Sequence, residues 1–189
     1  MKTTVFCGVS VDGFIARPDG SVDFLDAFDP PVDSEGQASD MGFGALMASI
    51  DALVMGRNTF DTVLGMIDGG MIEWPYGDTP VIVMTSRPLE MPEDLQDTVE
   101  ATDLEPRELL DVLSARLVEH VYVDGGRTVQ SFLAAGLVDE LSITTVPILI
   151  GEGLRLFGAL PADVRLERSG GQTFSNGMVQ NNYLVKADR

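Results

Sequence analysis

Apolar residues along the chain fall into short β-branched runs alternating with stretches of helical period. Val5 to Val11 is apolar on both faces, the pattern of a strand covered by helices on each side. Asp12-Gly13 turns into Phe14-Ile15-Ala16, and residues 17–42, rich in Pro, Asp, Ser and Gly, read as loop. A short helix is expected over Phe43 to Ser49, a strand over Ala52 to Met55, a helix over Asn58 to Leu64, and a second long loop over 65–79. Pro80 to Met84 reads as a strand, and Thr98 to Ala101 as a shorter one. Pro106 opens a helix whose stripe of Leu109, Leu110, Val112, Leu113 and Leu117 continues through Val118. A strand at Val121 to Val123, a helix from Arg127 to Ala135 capped by Gly136, and a strong strand from Leu141 to Ile150 follow. Val164 to Arg168 and Met178 to Val185 read as a closing strand pair. The alternation predicts a layered α/β fold with a C-terminal antiparallel pair.

Composition narrows the setting. A chain of 189 residues is read as one domain over 1–189, with 44% hydrophobic and 22% charged residues, ordinary for a globular protein. The single cysteine, Cys7, rules out an internal disulfide and suits a reducing compartment. No signal-peptide pattern opens the sequence and no apolar run is long enough to cross a membrane, so a cytoplasmic protein without a membrane partner is expected. The formal net charge of −18 repels polyanions, which excludes nucleic acid as the expected partner. Lys2 and Lys186 sit near the chain ends, so between them every fixed cation is an arginine. Of the ten arginines, Arg57, Arg87 and Arg127 fall inside Gly, Ser or Thr clusters at strand ends, a distribution suited to one small anionic ligand.

Several chemistries are excluded by what is missing. One cysteine and one histidine, His120, cannot build a usual zinc site, so no metal is expected, and His120 reads as structural at a helix–strand junction. There is no G-x-S-x-G elbow and no G-x-x-x-x-G-K-[ST] loop. Hydride transfer asks less of the side chains, because the reactive carbon belongs to the nicotinamide and the protein supplies binding, orientation and dryness.

Four strand-end clusters fit that demand. "SVDGFIA", Ser10 to Ala16, offers backbone to lay against a flat ring, with Ile15 and Ala16 as cover. "MGRNTF" supplies Gly56, Arg57, Asn58 and Thr59 at a helix start, where free N–H groups bind pyrophosphate oxygens. "TSRP" brings Thr85, Ser86 and Arg87, a hydroxyl and a guanidinium fork suited to the additional phosphate of NADP. "VDGGRT" adds Asp124, Gly125, Gly126, Arg127 and Thr128, with glycines that permit close approach of a diphosphate.

The stretches "SVDGFIA", "ASIDALVMGRNTF" and "VDGGRTVQSFLAAGLVDELSITTVPILIGEGLRLF" resemble the reductase domain of riboflavin-biosynthesis deaminase-reductases and its stand-alone relatives, within the dihydrofolate reductase-like superfamily. The likeness spans nearly the whole chain outside loops 17–42 and 65–79. It implies a central, mostly parallel sheet flanked by helices, NADPH at the strand ends, a small heterocyclic substrate and a homodimer. By the same resemblance Gly56, Arg57 and Thr59 match the first phosphate turn, Ser86 and Arg87 the adenosine-phosphate end, and Gly125 to Thr128 the second pyrophosphate turn. The deaminase half is absent, and the Pro-Trp segment of true dihydrofolate reductases is missing before the first helix. Asp40 falls about where those enzymes place a substrate-binding acid, and an N-cap explains it equally well. Asp12 and Asp23 are further substrate-side candidates, although Asp12-Gly13 also suits a turn. Trp74 and Tyr76 either border the pocket or anchor their loop. The expected activity is NADPH-dependent reduction of a pterin- or ribosylaminopyrimidine-like ring. The alternative is a non-catalytic dinucleotide, flavin or pterin binder of the same fold.

Overall fold

The computed structural model describes residues 1–32 and 36–186. The 17–42 loop expected from sequence therefore includes three positions, 33–35, that lie outside the described residues.

Six strands form the parallel part of the sheet: β1 (Lys2–Ser10), β3 (Ala52–Gly56), β4 (Val81–Met84), β5 (Val99–Thr102), β6 (His120–Asp124) and β7 (Glu140–Val146). The sheet order is β5-β4-β3-β6-β1-β7-β10-β9, with β9 (Leu166–Thr173) and β10 (Val179–Val185) as the antiparallel pair. A separate ribbon joins β2 (Phe14–Ala16) to β8 (Leu154–Arg155). Four helices complete the fold: α1 (Phe43–Met47), α2 (Arg57–Asp68), α3 (Pro106–Ala115) and α4 (Gly126–Ala134).

Side-chain alternation along the central strands divides the core in two. Val54, Val121 and Val123 face a layer with Leu109, Leu113, Val129 and Phe132 from α3 and α4. Leu53, Met55 and Tyr122 face the other way, against Leu46 of α1 and Phe60 and Val63 of α2. Two-sided burial explains why these strands read as unbroken apolar runs.

Several boundaries differ from the sequence expectation, each for a local reason. Helix α2 runs past Leu64 to Asp68 because Ile67 extends the stripe of Phe60, Val63 and Leu64, and it stops at Gly69-Gly70. Helix α3 ends at Ala115 rather than Val118, since Leu117 takes a left-handed φ of 65° and Val118 N donates to Leu113 O. Strand β7 stops at Val146 instead of Ile150, because Pro147 has no N–H for the ladder. Strand β9 begins two residues later than expected and continues through Gly170-Gly171 to Thr173; backbone pairing with β10 holds those glycines in the sheet. The Gly136 terminus has the expected form: Gly136 N donates to Leu133 O and Leu137 N to Phe132 O, with Gly136 at φ 65°.

Candidate functional site

All six parallel strands point their C-terminal ends toward one edge of the sheet. That edge therefore gathers Ser10 from β1, Gly56 from β3, Met84 from β4 and Asp124 from β6, in the spatial order β4-β3-β6-β1. The four clusters that the sequence spreads over 119 positions, Ser10 to Thr128, become neighbours there. The carboxyl ends of parallel strands, where strand order reverses, are the general binding crevice of open α/β sheets.

The two central junctions interlock. Gly56 is the N-cap of α2 and Gly125 the N-cap of α4; Thr59 and Thr128 occupy the third position of the same helices. A Cβ on Gly56 would lie 2.8 Å from Thr128 Oγ1, and one on Gly125 would lie 2.2 Å from Thr59 Oγ1. Each N-cap glycine is thus packed against the threonine of the opposite helix. Gly125 also requires its φ of 87°, a conformation costly to any other residue.

How the helix starts are capped is informative. Helix α3 begins with a capping box in which Glu105 and Glu108 exchange hydrogen bonds with backbone amides. At α1, Asp40 accepts from Gly42 N at 2.8 Å and Gly44 N at 2.7 Å. Helices α2 and α4 have no side-chain cap and no acid in the first turn, and they carry Arg57 and Arg127 there. In a chain with 30 acidic side chains, cations placed against the positive ends of two helix dipoles leave both starts suited to an anion.

The arginines are not equally available. Arg57 Nε donates to both Asp61 carboxylate oxygens, at 2.8 and 2.9 Å, and Arg57 Nη1 donates to Pro88 O at 2.9 Å. Much of its fork is committed to bracing the 85–88 turn against α2. Thr85 Oγ1 accepts from Arg87 N at 3.1 Å and shapes that turn, while Ser86 and Arg87 project into solvent. The guanidinium groups of Arg87 and Arg127 form no ion pair or hydrogen bond among the described residues. Asn58 is exposed in the first turn of α2, with its carbonyl accepting from Thr62 Oγ1.

The β2–β8 ribbon roofs the second junction. A Cβ on Gly126 would meet Arg155 O at 2.8 Å and Ile15 Cδ1 at 3.2 Å, so Ile15 already lies over the glycine turn. Ala16 is held by Gly153, whose added Cβ would sit 2.2 Å from Ala16 O. The sequence did not expose β8 as a strand, since only two residues pair.

The candidate acids separate clearly. Asp12 accepts from Ser10 Oγ at 2.6 Å and from Gly151 N at 2.8 Å, so it clasps the 147–155 segment to the first turn, and those bonds hold its pKa down. Asp23 is exposed and paired with Arg17, which likewise lowers its pKa. Asp40 is also held low by its two backbone amides, so it is an anion near neutrality and has no proton to give. Asp124 behaves in the opposite way. Loss of solvent at the end of β6 pushes its carboxyl up to about 6, offset only in part by the Gly125 amide at 2.7 Å. Sequence pattern alone grouped Asp124 with the cofactor turn and missed this property, which arises from packing.

His120 sits at the opposite end of the sheet. Its Nε2 lies 2.8 Å from Thr4 Oγ1 and its Nδ1 2.9 Å from Ser49 O, a fully engaged structural ring. Among the described residues no helix is long and apolar enough to cross a membrane.

The sheet order defines the class: an α/β protein of dihydrofolate reductase-like fold, whose candidate site lies at the C-terminal ends of the parallel strands. The chain belongs to the RibD C-terminal domain family, whose model matches residues 1–180. It is 35% identical to a candidate riboflavin biosynthesis protein of Shewanella sp. PV-4, covering 99% of this chain and 100% of that one with a TM-score of 0.88. It is 30% identical over 185 residues to the uncharacterized protein YwjB of Bacillus subtilis, covering 97% of each. Dihydrofolate reductase of Enterococcus faecalis, in complex with NADP(H) and RAB-propyl, has the same fold at 18% identity and a TM-score of 0.62 over 98% of this chain and 97% of that one.

The interlock has a measurable consequence. Gly125→Ala should destabilise the protein by roughly 2–4 kcal/mol, combining the clash with Thr59 and the strained φ. Thr59→Ala in the same chain should recover part of that loss, because it removes the clash and leaves the φ penalty. Denaturant unfolding of the two single variants and the double variant checks this, and strict additivity would refute the contact.

Proposed function

We propose that this protein is an NADPH-dependent reductase of a small flat heterocycle, of pterin or ribosylaminopyrimidine type. The observation carrying this reading is the contrast between helix starts: α1 and α3 are closed by carboxylates, while α2 and α4, side by side at the sheet's C-terminal edge, are open and bear arginine. Gly125 and Gly126 let the helix start pack closely against Thr59 and the β2–β8 ribbon, and the uncapped amides of α2 and α4 beside them suit a diphosphate.

The amides opening α2 and α4, with Asn58, Thr59, Arg127 and Thr128, would hold the pyrophosphate. Ser86 and Arg87 would take the additional phosphate that distinguishes NADP, with Arg57 fixing their turn through Pro88. Ile15 and Ala16 would cover the nicotinamide end. Bound there, the cofactor supplies a hydride. Asp124, at the end of β6 beside this seat, is the site's group able to hold a proton near neutral pH, which assigns it the proton accompanying reduction.

A homodimer is part of the proposal. Two copies of net charge −18 repel except where charge is balanced. Before residue 150 the chain has seven basic and 26 acidic side chains, and from 150 onward it has five and four. The outer edge of β9 lies in that balanced segment, and Leu166 there is 44% exposed. Light scattering at physiological salt should give twice the chain mass, and Leu166→Glu should give the single-chain mass. A monomeric wild-type protein would remove this part of the proposal.

Fluorescence titration tests the cofactor. NADPH should bind at micromolar concentration, and Arg87→Ala should weaken it by about 1.5–3 kcal/mol while leaving NADH unchanged. Failure of both nucleotides to bind at high micromolar concentration overturns the reading.

Asp124 makes a pH prediction whose sign is fixed. Its folded pKa lies above the ordinary carboxylate value, so the folded state binds the proton more tightly. Stability therefore falls as pH rises from the ordinary range through about 6. Asp124→Asn removes that penalty and should raise the melting temperature more at pH 8 than at pH 4.5. Turnover by the wild type should decline as pH rises through about 6. An equal effect of the substitution at both pH values would show that Asp124 is not desolvated.

A further inference from the structure

The 69–79 connection leaves α2 at the edge of the sheet opposite the site, because α2 runs back from the C-terminal ends of the strands. It then doubles back along the α1–α2 face. Trp74 packs edge-on against Phe60, in the first turn of α2, with ring centroids 6.3 Å apart, and Tyr76 packs edge-on against Trp74 at 5.0 Å. Tyr76 is buried in the same core layer as Phe60, Met55 and Tyr122, the layer that meets the C-terminal ends of β3 and β6, and the Asp124 charge acts on its ionisation. The Trp74 indole N–H donates to Gly77 O at 3.2 Å and fixes the bend that follows.

Tyr76 is unusual among the aromatics there. The residue is 7% exposed, yet its hydroxyl donates no hydrogen bond within the described residues, whereas the Tyr122 hydroxyl donates to Phe6 O at 2.9 Å. Among the described residues, the sealed and unpartnered side-chain polar atom is Asn182 Oδ1, so the Tyr76 hydroxyl retains access to solvent. A ring anchored on Trp74, which is itself braced on Phe60, with an unspent donor at its open end is the arrangement used to orient a ligand. Burial and the Asp124 charge both push its ionisation upward, so it remains a neutral donor throughout the working pH range.

We propose that Tyr76 is a specificity-determining residue of the substrate pocket, donating a hydrogen bond from its hydroxyl to a ring carbonyl or ring nitrogen of the bound heterocycle beside Asp124. The inference rests on the reductase reading for placing a substrate at this edge. The donor selects rings with an acceptor on that edge over rings of the same shape without one, since a ring lacking the acceptor leaves the hydroxyl unpaired.

Calorimetry with two probes, each with and without NADP⁺, tests this. The probes are 5,6-diaminouracil, which carries ring carbonyls, and benzene-1,2-diamine, which has none. Tyr76→Phe keeps the ring and its contact with Trp74, and an unchanged melting temperature verifies the fold. The expected result is a 5- to 10-fold weaker affinity for 5,6-diaminouracil and no change for the diamine. Equal affinity of wild type and Tyr76→Phe for 5,6-diaminouracil, or no binding of it to the wild type, would overturn the proposal. A wild type that ignores NADP⁺ yet loses diaminouracil affinity on Tyr76→Phe would sink the cofactor reading and leave Tyr76 in place.

Discussion

The contact on which the site depends is the crossing of two strand–helix junctions, Gly56 against Thr128 and Gly125 against Thr59. Strands β3 and β6 are adjacent and parallel, with Met55 opposite Asp124, so α2 and α4 begin next to each other on opposite faces of the sheet. Two helix starts can approach so closely only if the N-cap residues have no side chain. The close packing of the two helix starts is one steric condition, met twice.

Electrostatics then distinguishes these starts from the others. A strongly acidic chain has carboxylates in abundance to cap its helices, and it uses them at α1 and α3. Arginine at α2 and α4 is unfavourable to the isolated helix, and this local cost fits a site whose ligand supplies the missing negative charge. Asp124 is the exception within that positive zone. Its carboxyl is tolerated because burial keeps it largely protonated at acidic pH and the Gly125 amide accommodates the anion once it forms.

Much of the fold was legible in the sequence because strands buried on both faces carry continuous apolar runs, as at Val121 to Val123, and helices carry an apolar stripe, as in α3. The elements that differ from the sequence pattern are set by backbone rather than side chains. Strand β9 continues through Gly170-Gly171, and β8 consists of two residues whose pairing partner is remote. The four candidate turns are legible from their Gly, Ser, Thr and Arg clusters, but their order along the sheet edge is not, since β4-β3-β6-β1 is a property of topology. The acids were the hardest to read. Asp12, Asp23, Asp40 and Asp124 look alike in sequence, and only their neighbours separate a clasp, an ion pair, a cap and a proton-holding group.

The ribbon formed by β2 and β8 bears on how the protein is made. Ile15 and Ala16 are translated well before the segment that fixes them, which is bonded through Gly151 to Asp12 across 139 positions. Strand β1 is in the same position, since both of its neighbours, β6 and β7, are translated after residue 119. Strand β1 must therefore wait unpaired, and the roof over the glycine turn closes only after both helix starts have been made. Loop closure over such separations slows folding. A chain stalled before residue 154 would have both helix starts in hand and nothing to cover them.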